Sequence, residues 1–373
     1  LLKILLVGDL HIDNVKSSIA NSDNFHEVFK VMNLIKQTIL NRKPDLLVFF
    51  GDVFNSPTSI SSPVISVFSK IIGNLCEIIP TVFIVGNHDD IDNKKVDVKF
   101  DDTSIKVRSS LLSPFAYYPN VIVADEPSVF KIDDGVEVAF VPYSTNIIEN
   151  LKQLKFSPGT KRILMGHFDI KDTFYMVKMN DQVVTVEFPT AKELINDYNL
   201  DLVLLGHIHE PVDYVIDNKL VKYIGSCRNI DFKNSGESKG IYILDTNNLN
   251  LEFIENANGS IYKTFKTFDQ VNEYCRSKDP EILARTHIKF TYSNNNEVQK
   301  ISKLKEFFKS IKFERALLSA SDNAKTASIE IENFKEMLEN NLITKDSLID
   351  FALQFNQPNN KETVLKVFKY VNM

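Results

Sequence analysis

Residues 2–11 read LKILLVGDLH, an almost unbroken apolar run that stops at Gly8 and delivers Asp9 and His11. Short continuous apolar runs bounded by turn residues belong to strands buried on both faces. Polar side chains placed just beyond such strands collect at the carboxyl edge of the sheet, where open α/β folds bind ligands. The same pattern recurs at 45–55 (DLLVFFGDVFN), 81–90 (TVFIVGNHDD), 162–169 (RILMGHFD) and 202–210 (LVLLGHIHE). Together the runs bring Asp9, His11, Asp52, Asn87, His88, His167, His207 and His209 toward one edge, and that inventory fits a two-metal hydrolytic site.

Taken singly, each signal is weak. A Gly-Asp after a strand is usually a turn, and a lone histidine is usually a surface or core residue. The joint occurrence decides the matter. Of the 7 histidines in the chain, His11, His88, His167, His207 and His209 all close apolar runs. Only His26, at a helix start, and His287, in a later strand, lie elsewhere, and both read as structural.

The intervening segments alternate with these strands. Residues 25–39 repeat Phe25, Val28, Phe29, Met32, Ile35 and Ile39 at helical spacing, and the pattern stops before Pro44. A second amphipathic helix is expected over 64–79, ahead of Pro80. This βαβαβ order implies a parallel sheet with right-handed crossovers. The runs VIVADEPSVFKI and VEVAFVPY flank Asp133-Asp134-Gly135, which reads as a hairpin turn. VVTVEFP, DYVIDNKLVKYIGS and GIYILDTNNLNLEFIE supply later strands. The expected fold class is α/β: a two-sheet sandwich flanked by helices over 1–256, with the metal residues along one rim. Past NANGS at 256–260, a small β-α-β-α-β module is expected over 261–322, including helices near 270–276 and 298–311. A helical tail over 328–373 carries three apolar stripes, among them Phe334, Leu338, Phe351, Phe355 and Phe368.

Composition agrees with a large folded chain. Its 373 residues exceed one typical domain, and 43% are hydrophobic. No apolar stretch approaches the roughly 18 residues of a membrane span, so no membrane association is expected. Cys76, Cys227 and Cys275 are widely separated and read as reduced thiols of a cytoplasmic protein. A net charge of −6 excludes a wholesale basic coating for nucleic acid, but bound cations and local basic patches can still carry phosphate contacts.

The chemistry follows from donor types. Asp52 is the natural bridge, because one carboxylate oxygen can go to each of two ions. Asp9 and His11 sit at alternate positions and can grip one ion from the same side. Asn87 offers a neutral carbonyl oxygen, and His167, His207 and His209 complete a mixed nitrogen and oxygen set. Such a set suits Mn²⁺ better than Ca²⁺, which prefers oxygen alone. The expected cofactors are therefore two divalent ions, Mn²⁺ first and Mg²⁺ second.

The series GDLH, GDVFN, GNHD, GHFD and GHIH resembles the calcineurin-like metallophosphoesterases, whose five motifs are all present between residues 4 and 210. Within that superfamily the chain resembles the SbcD-type DNA exonucleases and their phage relatives. This narrower resemblance rests on GDVFN followed by a long helix, the small module after the first domain, and the helical tail. It implies that Asp9, His11, Asp52 and His209 hold one Mn²⁺ and that Asp52, Asn87, His167 and His207 hold the other. His88 would contact the scissile phosphate as a catalytic group rather than a ligand. Asn55 stands where related enzymes often carry His or Asp to orient that histidine, and a neutral amide stabilises an imidazolium less than a carboxylate does.

The resemblance further implies a nuclease acting 3′-5′ on duplex ends and endonucleolytically on single strands, in bacterial or phage-infected cytoplasm. The implied partners are DNA, an SbcC-type ATPase whose coiled coil the tail would grip, and a second copy of the chain. The homodimer would use helices near 64–79 and 104–118, the latter carrying Ile105, Leu111, Leu112, Phe115 and Tyr117. A phosphoprotein phosphatase is disfavoured, since GDVFNSP lacks the arginine those enzymes use for phosphate. A small-molecule or cyclic-nucleotide phosphodiesterase remains the alternative.

Overall fold

The computed structural model describes residues 2–14, 23–100, 103–173, 187–232, 238–292 and 295–315. In chain order, β1 (Lys3–Val7), α1 (Asp23–Arg42), β2 (Leu46–Phe49), α2 (Ser62–Cys76) and β3 (Thr81–Ile84) come first. A hairpin of β4 (Asp90–Phe100) and β5 (Thr103–Ser110) precedes β6 (Val121–Ala124), β7 (Ser128–Asp133) and β8 (Val136–Val141). Then follow α3 (Ile147–Lys152), β9 (Lys161–His167), α4 (Ala191–Asn196) and β10 (Leu202–Gly206). The strands β11 (Val212–Ile216), β12 (Lys219–Tyr223), β13 (Gly240–Asp245) and β14 (Asn250–Glu255) close the sandwich.

Two six-stranded sheets result, ordered β14-β13-β1-β2-β3-β6 and β11-β12-β10-β9-β8-β7. In the first, β1, β2, β3 and β6 run parallel, with β13 antiparallel to β1 and β14 antiparallel to β13 at one side. In the second, β8, β9, β10 and β12 run parallel between antiparallel β7 and β11. Alternation along each parallel strand explains the continuous apolar runs. Ile4 and Leu6 face the core between the sheets, whereas Leu5 and Val7 face α1 and α2. Across the sandwich, Leu202 and Leu204 join the inner core, while Val203 and Leu205 pack outward with α3 and α4. Both faces of both sheets are covered, so the carboxyl ends of the parallel strands are the natural place for polar chemistry.

The helical stripe of α1 buries Phe25, Val28, Met32, Ile35 and Ile39, with Val31 beside them. Phe29 lies off that stripe and is 40% exposed. The second helix starts at Ser62 with Pro63 in its first turn and ends at Cys76, three residues short of the expected end. The segment VIVADEPSVFKI is not one strand. Val121–Ala124 pairs with β3 in the first sheet and Ser128–Asp133 with β8 in the second, because Pro127 lacks an amide donor and the chain crosses between sheets there. The expected helix near 104–118 is corrected too. Thr103–Ser110 is a strand of the hairpin, and only Ser113–Tyr117 forms a short 3-10 helix, so a long helix is missing from that half of the expected dimer contact. Asp217 and Asn218 both take positive φ (50° and 65°), the geometry of a tight two-residue hairpin turn between β11 and β12.

After β14 come β15 (Ile261–Phe265), α5 (Phe268–Ser277), α6 (Pro280–Ala284), β16 (Thr286–Tyr292), α7 (Asn295–Ser302) and β17 (Ser310–Arg315). The three strands form a sheet ordered β15-β16-β17. Thr267 caps α5 reciprocally with Gln270. The helix expected over 298–311 ends at Ser302, and β17 begins earlier than expected, at Ser310. Glu27 on α1 ties this region to the sandwich: it accepts from Ser260 N–H at 2.6 Å and pairs with Lys309 at 3.2 Å. Most of VVTVEFP and the whole tail over 328–373 lie outside the described residues.

Candidate dinuclear metal centre

The loops after β1, β2, β3, β9 and β10 converge at one rim, and every sequence-predicted ligand is there. Their glycines are dictated by close approach rather than flexibility. A Cβ on Gly51 would come 2.5 Å from His167 Nδ1, and Gly51 takes φ +90°. A Cβ on Gly86 would overlap the Asp52 carboxylate. The ligand loops are themselves strained, with His11, Asp52 and His207 at φ 48°, 47° and 84°. Non-glycine residues held in this region are uncommon and concentrate at functional sites.

Ligand atoms of Asp9, His11 and His209 lie within 4.8 Å of one another, as do those of Asp52, His167 and His207. Asp52 stands between the two groups. Its Oδ2 is 3.6 Å from His11 Nε2 and 3.4 Å from His167 Nε2, while its Oδ1 accepts from His88 N–H at 2.8 Å. Asn87 Oδ1 faces His167 Nε2 at 3.0 Å and His207 Nδ1 at 2.9 Å.

Three of the imidazoles, His167, His11 and His207, are oriented through their other nitrogen. His167 Nδ1 meets Phe50 O at 2.6 Å, so its N–H is spent there and Nε2 points inward. His11 Nδ1 lies 3.2 Å from Asn55 Oδ1, and His207 Nε2 lies 3.2 Å from Asp169 Oδ2. Such partners fix the tautomer of a metal-ligating histidine. The inward nitrogens then present lone pairs to other acceptors: His11 Nε2 faces His209 Nε2 at 3.0 Å. Asp9 Oδ2 is buried and has no hydrogen-bond partner among the described residues. Lone pairs converging on lone pairs and an orphaned carboxylate oxygen are the donor set of a cation site, so the residues fit two divalent ions.

Electrostatics point the same way. Burial alone would suppress protonation of His167, but the facing carboxylates of Asp52 and Asp9 overcome it and raise the ring to about 10. Burial would likewise raise Asp52, yet His167 and His11 together hold its carboxyl well below the usual range. His11 is pushed down to about 4 by burial, and burial lowers His209 as well. A proton on His167 and a cation between the carboxylates answer one and the same demand for positive charge.

His88 is half-buried beside His11, with ring centroids 4.9 Å apart. Its Nδ1 is held at 2.8 Å by the main-chain carbonyl of Asn55, not by the side-chain amide, which is engaged with His11. A carbonyl can only accept, so Nδ1 carries the proton in this contact. Two carboxylates escape a reading of the sequence. Asp169 orients His207, and its one signal is its place two residues after a ligand in GHFD. Asp89 is fully buried and accepts from Phe54 N–H at 3.1 Å and Gly86 N–H at 3.0 Å, tying the β2 and β3 loops together. Burial, reinforced by the charge on Asp52, raises its carboxyl.

Residues 2–211 match the family model described as calcineurin-like phosphoesterase. The chain therefore belongs to the calcineurin-like phosphoesterases. Among curated proteins it is 28% identical over 265 residues to the SbcD component of the nuclease SbcCD of Staphylococcus epidermidis, covering 66% of this chain and 67% of that one. It is 24% identical over 300 residues to Uncharacterized protein R555 of Acanthamoeba polyphaga mimivirus, covering 79% of this chain but only 20% of that protein. Among solved structures, the purple acid phosphatase PPD1 of yellow lupin is similar at 12% identity and TM-score 0.41, over 70% of this chain and 52% of that one. Among the described residues no helix is long and apolar enough to cross a membrane.

Proposed function

We propose that this chain hydrolyses phosphodiester bonds in DNA, as the nuclease component of an SbcCD-type complex. The observation that carries the substrate is the likeness to the nuclease component of SbcCD over 265 residues, a longer stretch than the 2–211 family match. That reading brings an SbcC-type ATPase as partner.

Two divalent ions would clamp the phosphate and lower the pKa of a water to near neutrality, and the mixed nitrogen and oxygen donors favour Mn²⁺ over Ca²⁺. Asp9, His11 and His209 are assigned to one ion, Asn87, His167 and His207 to the other, and Asp52 to both. His88 is the catalytic residue outside the ligand set. With Nδ1 fixed by Asn55 O, its protonated ring donates from Nε2 to the oxygen that leaves as the P–O bond breaks. Phe50 O and Asp169 keep His167 and His207 in the tautomers that aim their lone pairs inward.

A homodimer is supported only by the flank of α2, where Val67 and Ile71 remain half-buried, and by Tyr117, which is 90% exposed. Light scattering at micromolar concentration decides it, a monomer mass ruling it out.

The test of function is digestion of end-labelled duplex and single-stranded DNA with Mn²⁺ and with Mg²⁺, beside hydrolysis of bis-para-nitrophenyl phosphate. Metal-dependent shortening of DNA is the expected result. Turnover of the small diester or of cyclic nucleotides with DNA left intact would instead make the chain a small-molecule phosphodiesterase.

A further inference from the structure

The carbonyl oxygens of three ligands, Asp9, His11 and His209, all accept hydrogen bonds from one short segment beyond β12. Ser226 N–H donates to His209 O at 3.0 Å. Cys227 Sγ–H donates to Asp9 O at 3.5 Å. The Arg228 guanidinium donates through Nη2 to His11 O at 2.7 Å and through Nε to Leu10 O at 2.8 Å. Lys239 Nζ adds a further donor on His209 O at 2.7 Å. Among the described residues, no hydrogen bond runs from Ser226, Cys227 or Arg228 to Asp52, Asn87, His167 or His207.

Arg228 is the unusual member. It is 2% exposed, and among the described residues its hydrogen bonds go to main-chain oxygens and no carboxylate lies at ion-pair distance. Burying a cation without a direct ion pair is costly. What it holds is a loop in which His11 sits at φ 48°, a left-handed conformation that is unfavourable for a residue with a Cβ. The planar fork of the guanidinium spans two successive carbonyls, Leu10 O and His11 O, a grip that a single ammonium cannot reproduce.

We infer that Arg228 is a positioning residue that sets the affinity of one ion position, the one built from Asp9, His11 and His209. The other position draws on Asn87, His167 and His207, to which this segment makes no hydrogen bond among the described residues, and the bridging Asp52 is common to both. The inference rests on the dinuclear reading above and adds to it a residue that makes the two ions separately tunable.

The experiment is Mn²⁺ titration of the full chain by calorimetry, with electron paramagnetic resonance to count coupled and uncoupled ions. Arg228→Lys keeps the charge and removes the two-pronged grip, so it reports geometry rather than electrostatic repulsion. The expected result is about a 10- to 100-fold loss of affinity for one ion, the usual consequence of removing an outer-shell contact, with the second ion unchanged. Unchanged affinity for both ions, or equal weakening of both, overturns the inference, the latter because it marks a general fold defect. If Arg228→Lys does not fold, Lys239→Met acts on the same ion through His209 O and must weaken that ion alone; no change there is equally fatal. A parent protein that binds fewer than two Mn²⁺ would sink the dinuclear reading itself, which separates that failure from the failure of the Arg228 assignment.

Discussion

Replacing Asn55 by Ala separates two ways of holding His88, the proposed catalytic histidine. The side chain of Asn55 makes one neutral, part-buried contact at 3.2 Å, to His11 Nδ1. Its carbonyl makes the 2.8 Å contact to His88 Nδ1, and alanine keeps that carbonyl. A neutral hydrogen bond is worth about 0.5–1.5 kcal/mol net. At about 1.4 kcal/mol per tenfold, the variant should bind Mn²⁺ roughly 2- to 12-fold more weakly at the His11 position. With the metal saturating, His88 remains oriented, and kcat should stay within about threefold of the parent, far from the 10²–10⁴ that a general acid supplies. Calorimetric Mn²⁺ titration and kcat on bis-para-nitrophenyl phosphate at saturating Mn²⁺ read the two quantities separately. A kcat loss of more than about 100-fold with Mn²⁺ binding intact would show that the amide orients His88 after all, and the main-chain account would be wrong.

Other outcomes follow from the same geometry. Asp52→Ala should lose both ions, since its carboxylate stands between the two clusters; metal analysis showing two bound Mn²⁺ would refute the bridge. His88→Asn should retain metal and lose about 10²–10⁴ in turnover, and loss of metal would make His88 a ligand instead. Gly86→Ala should abolish activity and lower the melting temperature, because the added methyl overlaps the Asp52 carboxylate; a fully active variant would contradict the described loop packing. Burial would raise Glu27, but Lys30, Ser260 N–H and Lys309 outweigh it and lower the carboxyl to about 2 from 4.5. A depressed carboxyl stabilises the fold above its unfolded value and loses that contribution as pH falls from 4.5 toward 2, so Glu27→Gln should flatten the melting temperature across that window.

The sequence by itself determined which metal-capable residues gather at the rim, because each candidate ligand is a local event: an apolar strand, a glycine that admits a neighbouring side chain, then a metal-capable residue. Strand alternation was equally legible, since burying Leu5 and Val7 on one face and Ile4 and Leu6 on the other requires a continuous apolar run. Local signals failed where the chain changed partners. VIVADEPSVFKI has the composition of one strand, but only the packing of two sheets shows that it belongs half to each. The segment near 104–118 has helix-like apolar spacing, yet backbone pairing with the preceding strand made most of it a hairpin arm. The orienting contacts were only partly legible for the same reason. The resemblance marked the position of Asn55, but Asn55 serves His88 through a main-chain oxygen that any residue possesses, so no side-chain pattern could announce the contact. Arg228 grips His11 O across 217 residues of chain. Periodicity decides which face a residue takes within its own strand; which carbonyl meets which nitrogen is decided by how the two sheets and their loops close on each other.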